Sequence, residues 1–253
     1  MTERGKYNSS LTRVVPVFKS ISKNKDWLRT LLTLPKGGKT IDTDSDLSPT
    51  YKYWGKDEYA LDPPVALLSW LIRNIKNVPD NGSDTVKKRR RLADGDPKTI
   101  EEALKLLRTK GEEKAWYILE GPSYPDAYIV SNDMIVVVEG KRTESDITTS
   151  TTWMPIRHQM WRHIDAAWEI KGRRKVAGLL IVEGSDEHTV PEKWKASVKK
   201  AFDREVIIEN FPHRSSREIE NITNCFLGVT TWQIICREFG LNPDEVLIES
   251  LGD

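Results

Sequence analysis

The chain has 253 residues, with 39 Lys or Arg against 38 Asp or Glu, a net charge of +1, 38% hydrophobic residues and 30% charged residues. That length suffices for a buried core, and the composition excludes a disordered or membrane-spanning chain; the charge balance neither requires nor excludes nucleic acid, because positive charge can be concentrated locally. The longest apolar runs, residues 134–138 and 176–182, are too short for a bilayer, and the start from Met1 to Tyr7 lacks a signal-peptide core, so a cytoplasmic protein with no membrane partner is expected.

Trp27, Leu28, Leu31 and Leu32 have helical spacing, which the Pro and Gly residues at 35, 37 and 38 interrupt. Gly38-Lys39-Thr40 imitates the end of a phosphate-binding loop. Thr33 stands where that loop needs its first Gly, and no apolar strand leads into it, so nucleotide binding there is rejected. Pro63 and Pro64 open a helix whose stripe is Val65, Leu68, Ile72 and Ile75. A polar stretch follows, containing Lys87, Lys88, Arg89, Arg90 and Arg91. It reads either as a solvated linker or as a phosphate-contacting segment. Residues 1–95 are thus expected to form a helical accessory region, and residues 96–253 an α/β core with a C-terminal extension.

Thr99 with Glu102 predicts a capping box, opening a helix whose buried face is Ile100, Ala103, Leu104 and Leu107. Three strands are expected over residues 115–120, 126–130 and 134–141, separated by turns at 121–123 and 131–133. A Thr-rich loop leads to a long helix over 155–171, closed by Gly172, and a strand over 176–183. Then come a helix over 192–202, a short strand over 206–208, an apolar segment at Phe226 and Leu227, and a last helix over 231–239. Cys225 and Cys236 are too few for a disulfide framework and read as reduced core thiols; His158 and His163, five apart, are poorly spaced for a zinc site. The order helix, three strands, helix, strand predicts an α/β fold with a mixed central β-sheet flanked by helices, the long helix making a parallel crossover.

Strand side chains alternate faces, so Ile135, Val137, Glu139 and Lys141 share one. A carboxylate and an ammonium at the end of a hydrophobic strand must be balanced, by each other or by a metal. Asp126 opens the preceding strand behind Pro125, and hairpin pairing brings it to the Glu139–Lys141 end. Two carboxylates at one point favour a bridging cation, and Mg²⁺ suits such a site, with the Gly140 carbonyl as a further ligand. Lys141 is then placed to orient or deprotonate a water and to neutralise a transition state. Acidic-x-Lys also occurs at Asp96, Glu112 and Glu169, but only Glu139 ends an apolar strand and follows a strand opened by Pro-Asp.

Pro125-Asp126 followed by Glu139-Gly140-Lys141 resembles the PD-(D/E)XK, or restriction-endonuclease-like, nuclease superfamily, over roughly residues 97–185. The resemblance implies Mg²⁺-dependent hydrolysis of nucleic-acid phosphodiesters, with Mn²⁺ able to substitute. It points to a DNA endonuclease, suited to genome defence. On it, Asp126 and Glu139 are metal ligands and Lys141 is the catalytic lysine. Many members add a glutamate near the first helix, and Glu120 is the residue placed to serve. Some place a Gln on the helix after the lysine strand, followed four residues later by Tyr. Here Gln159 is followed by His163, a departure that leaves the subfamily open. Cutting both strands implies a homodimer. Two other readings stand beside this one: an inactive nuclease-like module that binds nucleic acid or a protein, and a structural protein whose Glu139–Lys141 pair is only a salt bridge.

Overall fold

A computed structural model describes residues 9–37, 45–55, 59–76, 78, 82–109, 116–144, 151–184 and 189–246. A π-helical turn, Ser10–Val14, runs into α1, Val15–Ile21, and α2, Trp27–Thr33. Then come β1, Lys36–Gly37; β2, Pro49–Trp54; α3, Val65–Asn74; α4, Asp84–Ala93; and α5, Pro97–Thr109. The central part is β3, Ala127–Ser131; β4, Met134–Gly140; α6, Gln159–Ile170; and β5, Lys175–Val182. The chain continues with α7, Glu192–Ala201; α8, Arg204–Asn210; α9, Ser216–Thr223; β6, Phe226–Thr231; α10, Trp232–Glu238; and α11, Pro243–Val246. Among the described residues no helix is long and apolar enough to cross a membrane.

The strands form one mixed sheet in the order β1-β6-β5-β4-β3-β2. β2, β3 and β4 are antiparallel neighbours, β4, β5 and β6 run parallel, and β1 closes the edge antiparallel to β6. β3 and β4 are buried along their whole length, because each face of the sheet is covered. On one face Ile129, Val136, Val138 and Leu179 pack against Val17, Phe18, Leu28 and Trp232 from α1, α2 and α10. On the other, Ile135, Val137, Leu180 and Val182 pack against Trp161 and Ile164 of α6 and Trp194 of α7. A third apolar cluster joins α3, α4 and α5 to Trp116, Tyr117 and Leu119.

Several expected elements differ. Residues 116–120 form no strand; Trp116, Tyr117 and Leu119 are drawn into the helical cluster, and the carbonyls of Trp116 and Ile118 accept from the Arg89 guanidinium. The place beside β3 is taken by β2, from the N-terminal region. Residues 1–95 therefore supply two strands and one wall of the sheet's core as well as helices, so the sheet crosses the boundary expected at 95. The basic stretch is not a linker: Ser83 caps α4, accepting from Val86, and α4 carries the five cations. The cap of α5 is Asp96 rather than Thr99, since its carboxylate accepts from the Thr99 amide, while Glu102 pairs with Lys88 at 2.8 Å. On α3 the buried stripe is Leu67, Leu68, Leu71 and Ile72, with Val65 51% exposed. Residues 206–208 are helical within α8, where Asn210 donates back to the Val206 carbonyl and to that of Ile156. Gly38, Lys39 and Thr40 lie outside the described residues.

Candidate functional site

The site forms where β4 ends beside β3 and the first turn of α6. Ala127 pairs with Val138, so Asp126 is carried to the level of Glu139, at the open end of the hairpin. The Gly140 N–H donates to Asp126 Oδ2 at 2.7 Å, fixing that carboxylate across the strand end. In an extended strand the N–H and C=O of one residue point to the same edge, so the Gly140 carbonyl faces the Asp126 side as well. The Lys141 N–H instead donates to Ile181 of β5 at 2.8 Å, which locks the next residue of the motif.

Glu139 and Lys141 are both buried, and their charges meet at 2.7 Å. The Lys141 ammonium also donates to Gln159 Oε1 at 3.2 Å. The second oxygen of Glu139, Oε2, lies 2.9 Å from Nε2 of His163. Burial disfavours charge on the Glu139 carboxyl, but His163 and Lys141 outweigh it and hold the group below its ordinary range. Burial likewise opposes the Lys141 ammonium, yet Glu139, Glu144 and Asp126 outweigh it and push the lysine above its ordinary value. Lys141 is therefore an ammonium here, a donor and a positive charge.

Two glycines let these elements meet. A Cβ on Gly140 would come within 2.7 Å of Trp232 Cζ2, and the Trp232 indole N–H donates to the Lys141 carbonyl at 3.1 Å. The residue between Glu139 and Lys141 must therefore lack a side chain. A Cβ on Gly178 of β5 would come within 2.5 Å of Ile164 Cδ1 and 3.1 Å of Met160 Cε. Its absence lets α6 lie close on the sheet, which brings Gln159 and His163, one helical turn apart, to the pair.

The structure thus gathers Asp126, Glu139, Gly140, Lys141 and Gln159. Glu120 is placed differently: its buried carboxylate is turned to Arg162 at 3.3 Å and Arg157 at 3.6 Å, so its charge is taken up by two guanidinium groups. Arg157 continues inward to Asp165 at 2.7 Å, and Asp165 also meets His213 at 3.1 Å and Arg214 at 3.0 Å. Burial opposes charge on Asp165, but these three partners bring it down to about 2. This network ties α6 to the segment after α8. The sequence missed Ser123 and the role of His163. His163 sits four residues after Gln159, a spacing that puts both on one face of a helix, and that was the available signal.

Among the described residues no group of three or more His, Cys, Asp and Glu side chains is arranged to hold a metal ion. The oxygen donors at the strand end are two carboxylates, Asp126 and Glu139, and the Gly140 carbonyl. That smaller, hard-oxygen set matches a cation that keeps water and phosphate oxygens in its shell. Comparison with family models, curated proteins and solved structures finds no match to this chain.

Proposed function

We propose that the chain is a metal-dependent nuclease of the PD-(D/E)XK type, acting on DNA as an endonuclease. The observation that supports this reading is the convergence of Asp126, Glu139, Lys141 and Gln159, from three elements, at the open end of one buried strand. The antiparallel β3–β4 pair, the α6 crossover and the parallel β5 also support this reading. Asp126 and Glu139, with the Gly140 carbonyl, are the proposed ligands of Mg²⁺, or of Mn²⁺ in its place. Such an ion, when bound, polarises a phosphate oxygen and acidifies a bound water.

The protein's own part is positioning and charge. Lys141 is held as an ammonium, so its role is to orient the attacking water through a hydrogen bond and to offset the negative charge that grows on the phosphorus oxygens. Gln159 holds the lysine's direction by accepting from Nζ. Glu139 balances the ammonium, and with Asp126 it would hold the cation. Glu120 is proposed as a holder of Arg162 rather than as a ligand. Exposed cations on α4, Lys87, Arg90 and Arg91, are proposed as phosphate contacts. A homodimer on DNA is proposed, in which each copy cuts one strand.

The reading is tested by incubating plasmid and single-stranded DNA with Mg²⁺ or Mn²⁺ and either wild type or Lys141→Ala. Metal-dependent cleavage lost in the variant is the expected result; cleavage that survives Lys141→Ala refutes the site. One observation favours a second reading: both Glu139 oxygens already have partners, as in a purely structural ion pair. An inactive wild type selects that structural reading, or the binding-module reading where it still binds DNA.

A further inference from the structure

Glu139 is reached from the protein interior by a two-residue chain. His163 Nε2 lies 2.9 Å from Glu139 Oε2, and Nδ1 of the same ring meets the Ser123 hydroxyl. Ser123, His163 and Glu139 are 4%, 2% and 3% exposed, so these contacts are buried. Both ends are rigidly mounted. The Ser123 amide donates to the Leu61 carbonyl at 2.8 Å and its carbonyl accepts from the Leu61 amide at 2.9 Å. His163 rides on α6 where Gly178 admits the helix.

An ionised carboxylate only accepts, so Nε2 carries the proton that joins His163 to Glu139. A neutral ring protonated at Nε2 presents Nδ1 as an acceptor, and the Ser123 O–H is then its donor. We propose that Ser123 and His163 are positioning residues for Glu139: the hydroxyl fixes the ring tautomer, and the ring pins Oε2. The other oxygen, Oε1, which meets Lys141, would then be the one left to hold a divalent cation. This rests on the reading of Asp126 and Glu139 as ligands.

The contacts run opposite to those of a nucleophilic Ser-His-acid triad, where the acid meets Nδ1 and the serine meets Nε2. With Ser123 buried as well, the chain holds a carboxylate and does not attack an acyl group. Partners that orient a metal ligand typically change metal affinity by about 10- to 100-fold when lost.

The test uses the full chain, ¹⁵N-histidine NMR and calorimetric titration with Mn²⁺. Wild type is expected to bind Mn²⁺ and to show His163 in the Nε2–H tautomer. Ser123→Ala is expected to weaken Mn²⁺ binding about tenfold and to release the ring to both tautomers. His163→Gln, whose amide N–H reaches the place of Nε2–H, is expected to stay within a few fold of wild type. In that background Ser123→Ala should add nothing, because no ring remains for the hydroxyl to fix. Failure of wild type to bind Mn²⁺ overturns the ligand reading and this inference with it. Wild-type binding with unchanged affinity in a folded Ser123→Ala overturns the positioning role alone. An Nδ1–H tautomer in wild type overturns it without any variant, and so does covalent capture of Ser123 by a fluorophosphonate.

Discussion

Gly140→Ala probes the site at its tightest point. The added Cβ would stand 2.7 Å from Trp232 Cζ2, 3.1 Å from Val14 Cγ2 and 3.3 Å from Trp232 Cη2. Carbon atoms pack at about 3.5–4.0 Å, so the closest approach is about 1 Å too short. Neither neighbour is the loose end of a flexible chain: Val14 and Trp232 are wholly buried, and the indole is tied to the Lys141 carbonyl. Overpacking of this kind costs about 1–3 kcal/mol. Gly140 is not in the left-handed region, so the loss of unfolded-state freedom returns about 0.4–1 kcal/mol. A net destabilisation of about 1–2 kcal/mol follows from these two opposing effects. The assay is urea unfolding of four proteins: wild type, Gly140→Ala, Trp232→Phe and the double variant. Phe lacks the part of the ring that the methyl meets, so the double variant should be less destabilised than the two single effects combined. Wild-type stability in Gly140→Ala, or strict additivity in the cycle, would refute the claim that Trp232 dictates glycine at this position.

Asp165 sets a pH dependence. Its carboxyl drops from an ordinary value of 3.8 to about 2 in the folded chain, so its contribution is complete above about pH 4 and fades as pH falls toward 2. That shift corresponds to about 2 kcal/mol at neutral pH. Asp165→Asn should therefore be less stable at pH 7 and lose less further stability than wild type between pH 4 and 2. Identical pH slopes in the two proteins would contradict the assignment. Ser215 caps α9, accepting from the Glu218 amide at 3.3 Å while Glu218 accepts from the Ser215 amide at 3.0 Å. Ser215→Ala is expected to cost about 1 kcal/mol in urea unfolding, and no measurable change would show that the box contributes nothing.

How much was legible depended on the range of the interactions involved. Met134 to Val138 announced a central strand because an unbroken, β-branched apolar run between turn signals suits a strand covered on both faces. Glu139 and Lys141 followed from the two-residue period, and Asp126 from the short turn that closes the hairpin. Gln159 came from the resemblance to the nuclease superfamily, some of whose members place a Gln on the helix after the lysine strand. The strand expected at 115–120 failed because its apolar residues satisfy either a sheet or a helical cluster, and Arg89, 27 residues before Trp116, decided between them. The segment 206–208 failed for a similar reason, since its β-branched run suits a strand only if a neighbour is there to pair. Glu120 was the residue placed to serve as the extra glutamate that the resemblance implies, across a short turn from Asp126, but two arginines on and before α6 claim it.

By itself, the sequence determined the periodicity of β4, the shared face of Glu139 and Lys141, and the turn that returns Asp126 to them, since all three are set by neighbours along the chain. Only the tertiary structure decided that β2 and not residues 116–120 flanks β3, that Trp232 demands Gly140, and that Ser123 and His163 stand behind Glu139. Those depend on atoms dozens of residues apart meeting at van der Waals or hydrogen-bond distance. Such meetings are fixed by how close α6 and α10 approach the sheet, which no local pattern records.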